Sequence, residues 1–145
     1  MEQAEAQGGL VVAREILVEW GDCDPAGIVW YPRYFGWFDN CTAGLFEAVG
    51  LPKWEMLRAY DIIGIPMVDT RARFSVPSRW GERITVHSRI ARWGRTSFDV
   101  EHSVTKGEVL ALEAWETRVW AARHPDDPDR IRGQEIPAEV RARFA

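Results

Sequence analysis

Tyr31-Pro32-Arg33-Tyr34-Phe35-Gly36-Trp37-Phe38-Asp39-Asn40-Cys41-Thr42-Ala43-Gly44-Leu45-Phe46-Glu47-Ala48-Val49-Gly50 carries the strongest periodic signal in the chain. Phe35, Phe38, Thr42, Leu45 and Val49 recur at spacings of three, four, three and four, which lays them along one face of a helix. Pro32 suits the first helical turn, where its missing N–H is no loss, and Gly50 suits the left-handed position just past the end. The spacing predicts a helix from about Tyr31 to Val49.

Working outward, Val11 to Trp20 is rich in Val, Ile and Leu and reads as a strand. Gly21-Asp22-Cys23-Asp24-Pro25-Ala26-Gly27 then breaks it. Pro52 to Tyr60 reads as a short helix. After Gly64 the pattern changes to strands: Met67 to Phe74, Arg83 to Ala91, Thr96 to Val104 and Val109 to Ala122. Ile84, Val86, Ser88 and Ile90 share one face, and so do Phe98, Val100, His102 and Val104. Trp93-Gly94-Arg95 and Thr105-Lys106-Gly107-Glu108 have hairpin character. Pro125 and Pro128 end the last strand, and Glu139 to Phe144 forms a terminal helical turn. One long helix cannot bury its stripe alone, and an antiparallel sheet of about five strands offers one apolar face. The expected architecture is α+β, with the sheet wrapped around the helix. Open sheet edges and spare tryptophan invite pairing with a second copy.

At 145 residues, with 46% hydrophobic and 28% charged side chains, the chain has the length and composition of one globular domain. Residues 1–10 read as a disordered, acidic leader without the features of a signal peptide, and 11–145 as a single domain. A net charge of −4 argues against a nucleic-acid partner, and no apolar run is long enough for a membrane span. Cys23 and Cys41 lack disulfide or zinc spacing, which points to a reducing cytoplasm. His87, His102 and His124 have no metal-like spacing, so neither metal nor cofactor is expected. Eight tryptophans are too many for so small a core, and some belong at an interface or pocket.

The loop from Gly21 to Ile28 is the first place to look for chemistry. It sets two carboxylates, Asp22 and Asp24, against a helix N-terminus with its positive dipole end and unpaired N–H groups. Either carboxylate could attack, and the backbone N–H of Tyr31 could receive an oxyanion, since Pro32 has none to give. The same residues also make an ordinary turn and cap. Asp39 is either a solvent-facing helix residue or an acceptor at a pocket edge. His102, on an apolar face, reads as a hydrogen-bonded core histidine. Arg92, Arg95, Arg123, Arg130 and Arg132 fall at strand ends and in the late loop, where together they could hold phosphates. No nucleophilic-serine motif is present.

Gly21-Asp22-Cys23-Asp24-Pro25-Ala26-Gly27-Ile28-Val29-Trp30-Tyr31-Pro32, with Tyr34 and Phe35, resembles the 4-hydroxybenzoyl-CoA thioesterases of the hotdog fold. The likeness is to the branch with an aspartate ahead of the central helix. Gly50-Leu51-Pro52 with Trp54, Gly64 with Pro66, Trp93 through Phe98, and Glu135-Ile136-Pro137-Ala138 extend the resemblance along nearly the whole chain. It implies an acyl-CoA thioesterase, assembled as a homotetramer (dimer of dimers). Asp24 is then the nucleophile or general base, and the Tyr31 N–H the oxyanion donor. It further implies that Asp39 and Trp54 contact the aromatic acyl group, Asp39 from a pocket shared between subunits.

Some positions depart from the family pattern. Ile28 stands where the short-chain acyl-CoA branch carries histidine, which favours an aryl substrate. Gly94-Arg95-Thr96 leaves one positive charge where the resemblance implies a basic run, so Arg92, Arg95, Arg130 and Arg132 are the expected CoA contacts. Ile65 takes a site-lining position that can hold a small hydroxyl residue. The alternatives are a short- or branched-chain acyl-CoA thioesterase and a non-catalytic acyl-CoA-binding module, the latter disfavoured by Asp24. A dehydratase is weaker still, because neither the loop nor the helix carries a histidine.

Overall fold

The computed structural model describes residues 9–145. Strand β1 (Val11–Leu17) is followed by a single 3-10 turn at Trp20–Asp22, the long helix α1 (Pro32–Ala48) and the short helix α2 (Lys53–Tyr60). Strands β2 (Met67–Phe74), β3 (Arg83–Trp93), β4 (Ser97–Lys106) and β5 (Val109–Val119) follow. A small hairpin, β6 (Ala121–Arg123) and β7 (Ile131–Gly133), and helix α3 (Ala138–Ala142) complete the chain. The five long strands form one antiparallel sheet in the order β1-β3-β4-β5-β2, with β1 and β2 at its edges.

The expected elements are present, with differences at their ends. The first strand stops at Leu17 rather than Trp20 because the backbone turns there: Asp22 donates its N–H to the Glu19 carbonyl at 3.0 Å, and Glu19 donates to Asp22 Oδ2 at 2.8 Å. The last strand, read to Ala122, ends at Val119. Trp120 leaves the ladder, donating to the Thr96 carbonyl at 2.8 Å while its own carbonyl accepts from Gln134 at 2.8 Å. Ile131–Gly133, which pairs with Ala121–Arg123, is too short to carry a periodic signal. Most of the expected leader, residues 1–8, lies outside the described residues. Leu10 donates to the Phe144 carbonyl at 3.1 Å and leans on the core.

Helix α1 lies across one face of the sheet, and two apolar clusters fill the space between them. Tyr34, Phe38 and Cys41 pack with Ile84, Val86, Val104, Leu112 and Ala114. Leu45 and Phe46 pack with Phe98, Val100, Trp120 and the C-terminal Ile136, Val140 and Phe144. Between the clusters runs a polar belt: Thr42 on α1, Ser88 on β3, His102 on β4, and Glu116 and Arg118 on β5, all buried. Strand alternation sets these side chains on the same face as their apolar neighbours.

Candidate active site

The loop before α1 is built almost entirely by backbone. Gly27 donates to the Asp24 carbonyl and Asp24 to the Ile28 carbonyl, each at 2.9 Å, with Gly27 at φ +80°. This is a tight turn closed by a left-handed glycine, with Pro25 pre-set for its second position. The loop is anchored by Trp30 N–H on the Asp22 carbonyl and Val29 N–H on the Ser78 carbonyl, both at 2.8 Å. Asp22 is fully engaged: Oδ2 takes the Glu19 N–H at 2.8 Å and Oδ1 faces Arg33 Nε at 3.3 Å. Asp24, half-buried, accepts the Ala26 N–H on Oδ1 at 2.8 Å, and no described residue engages its Oδ2. Of the two acids, then, Asp22 holds the loop and Asp24 offers an oxygen.

Tyr31 caps the 17-residue helix. Among the described residues its N–H donates to no backbone carbonyl, and it sits where the helix dipole is positive. Asp24, Tyr31, Tyr34, Phe74, Val76 and Ser78 line a cleft of about 470 Å³. Asp24 also borders a second cleft of about 600 Å³ with Trp20, Cys23, Arg79 and Trp80. Asp24 thus borders both clefts.

The other expected residues lie apart from Asp24 within this chain. Asp39 is exposed on α1 and pairs through Oδ1 with Arg118 at 2.8 Å. Trp54, on α2, is 78% exposed. The Ile65 side chain is buried in the core cluster rather than on either cleft wall. Arg92 is committed to Asp99 through Nε at 2.7 Å and through a second guanidinium nitrogen at 3.2 Å. That pairing raises its pKa and lowers that of Asp99. Arg95, Arg130 and Arg132 are exposed around the β3–β4 turn and the β6–β7 hairpin, and none of them lines either cleft that Asp24 borders.

The sequence reading missed Glu116 and Arg118. Glu116 accepts from Thr42 Oγ1 and Arg118 Nε at 2.8 Å and from His102 Nε2 at 3.0 Å. His102 Nδ1 meets Ser88 Oγ at 2.7 Å, and the imidazole stacks on Phe38. His102 is therefore the hydrogen-bonded core residue it was read to be. A signal for the other two was present: Glu116 and Arg118 continue the inward parity of Leu112 and Ala114. Among the described residues no group of side chains is placed to hold a metal ion, and no helix is long and apolar enough to cross a membrane.

The sequence pattern of the thioesterase-like superfamily matches residues 18–144. The chain belongs to this superfamily. It is 38% identical over 128 residues to 4-hydroxybenzoyl-CoA thioesterase of Pseudomonas sp. (strain CBS-3), covering 84% of this chain and 89% of that protein. A crystal structure of a mutant 4-hydroxybenzoyl CoA thioesterase complexed with 4-hydroxybenzoyl CoA is similar, with TM-score 0.84 and 35% identity, covering 93% of this chain and 99% of that one. The structure of a gentisyl-coenzyme A thioesterase is also similar, with TM-score 0.76 and 28% identity over 92% of this chain and 98% of that one. The wrapped helix is thus the central helix of a hotdog fold, and the Asp24 turn immediately precedes it, at its positive end.

Proposed function

We propose that this thioesterase-like protein hydrolyses an aryl-CoA thioester, 4-hydroxybenzoyl-CoA, to the free acid and CoA. The observation that carries the reading is that Asp24, with an unengaged oxygen, and Tyr31, with an unengaged N–H, line one aromatic cleft. Asp24 Oδ2 attacks the thioester carbonyl carbon or takes a proton from the water that does; either route drives the carbonyl electrons onto oxygen. The Tyr31 N–H and the helix N-terminus stabilise that oxyanion, which collapses and expels the CoA thiolate. After direct attack, water cleaves the resulting mixed anhydride and restores the aspartate.

In this reading Asp39 accepts a hydrogen bond from the ring hydroxyl and the exposed Trp54 borders the acyl group, both contributed across a subunit boundary in a homotetramer, whereas the Ile65 side chain is buried in the core and lines no acyl site. Support comes from the separation of these residues from Asp24 in one chain, and from the open β2 edge. Arg95, Arg130 and Arg132 hold the CoA phosphates of a neighbour's substrate, with Arg92 already committed to Asp99. Two free thiols fit a cytoplasmic location.

The experiment is kcat/KM across 4-hydroxybenzoyl-, benzoyl-, phenylacetyl-, short-chain and long-chain CoA thioesters. A steep preference for the hydroxylated aryl ester is expected. A preference for short straight chains overturns the aryl assignment, and tight binding without turnover overturns the enzymatic one.

A further inference from the structure

We infer that Arg118 is a positioning residue for substrate recognition, fixing the Asp39 carboxylate and the Ile65 backbone together from inside the core. This rests on the aryl-CoA reading and assigns a specificity role to a residue that touches no substrate. All three guanidinium nitrogens of Arg118 are used, each on a different element. Nε donates to Glu116 on β5 at 2.8 Å, NH1 to the Ile65 carbonyl ahead of β2 at 3.0 Å, and NH2 to Asp39 on α1 at 2.8 Å. The Arg118 side chain is only 5% exposed, whereas that of Asp39 is 52% exposed.

That asymmetry carries the argument. A buried guanidinium needs a counter-charge, and Glu116, 1% exposed, already supplies one. Asp39 is a second carboxylate on the same cation. Its Oδ1 is held by Arg118, and no described residue engages Oδ2. The hydrogen bond from NH2 of the guanidinium fork anchors one oxygen of the Asp39 carboxylate to the core and leaves Oδ2 as an available acceptor on a half-exposed side chain. The fork is rigid in turn, because Thr42 and His102 hold Glu116 and Ser88 holds His102. The polar belt thus reaches from the middle of the core to the surface where Asp39 emerges.

The test measures kcat and KM for 4-hydroxybenzoyl-CoA and benzoyl-CoA in wild type, Arg118→Lys, Asp39→Ala, the double variant and Asp39→Glu. Lysine keeps the charge but loses the fork, so Arg118→Lys is expected to lower the wild-type preference for the hydroxylated ester by roughly tenfold, through KM rather than kcat. Adding Arg118→Lys to Asp39→Ala is expected to change that preference no further. Asp39→Glu, at an exposed position that folds regardless, keeps a carboxylate but moves it off the fork, and loses most of the preference. Equal losses on both esters, an additive double variant, or a preference that survives Asp39→Glu each overturn the inference. A wild type with no preference for the hydroxylated ester overturns the substrate reading and this inference with it. A wild-type preference that Arg118→Lys leaves intact overturns the inference alone.

Discussion

The Asp24 loop and the polar belt beneath α1 both hold carboxylates, yet they are built in opposite ways. The loop is a contiguous stretch at the surface, its shape set by backbone hydrogen bonds and a left-handed glycine, and it leaves one oxygen of Asp24 unengaged. The belt is gathered from four elements, sealed from solvent, and pairs both oxygens of Glu116. An unengaged carboxylate at the surface has an oxygen to offer and contributes little to stability; a saturated buried one has none to offer, and removing it strands its partners in the core. Activity and stability should therefore separate between the two regions.

The largest expected effect is on the belt. Glu116→Ala leaves Arg118 and His102 buried without their shared partner and should cost more than about 3 kcal/mol, a fall in Tm of roughly 10 °C. Thermal melting checks this, and a loss below about 1 kcal/mol would make the belt no better than a surface pair. Acid sharpens the same point. Burial pushes the Glu116 carboxyl up, but hydrogen bonds from His102 and Arg118 outweigh it and hold the group below its ordinary 4.5. A depressed native pKa stabilises the fold above the ordinary value and loses that stabilisation as pH falls below it. Wild type should therefore lose stability on acidification below about pH 4.5, and Glu116→Gln should show a shallower acid limb. Gly27→Ala tests the loop with a smaller effect. A β-carbon at φ +80° costs about 1 kcal/mol. Because it shifts the turn that aims Asp24, kcat should fall roughly tenfold while Tm falls by only about 2–4 °C, well short of the loss expected for Glu116→Ala. Equal damage to stability and turnover would erase the contrast between the two regions.

The same contrast explains what the sequence made legible. Asp24 and Tyr31 lie within eight residues of each other, so turn chemistry and helix-start signals marked the loop as a candidate alongside an ordinary turn, and the family resemblance then singled it out. Helix α1 and strands β3 and β4 followed from periods of 3.6 and 2, because each buries one face. The belt was half visible: the parity of His102 marked it as an inward, bonded residue. Its partner Glu116 looked like one more charge in a strand with Glu113, because cross-strand register is not written in local pattern. Arg92 shows the converse. Its position suggested phosphate binding, and only the three-dimensional neighbour Asp99 revealed that its guanidinium is occupied. The missed β7 strand is three residues long, below any periodic signal.

The central claim is that Asp24 carries the chemistry. Its most direct test is the kcat of Asp24→Asn on 4-hydroxybenzoyl-CoA, with a melting curve on the same sample. The substitution keeps the Oδ1 acceptor for Ala26 and removes the charge. The expected result is a fall in kcat of at least roughly a hundredfold with Tm within about 2 °C of wild type. Near-normal turnover by a folded Asp24→Asn variant would contradict it and return the loop to a purely structural turn.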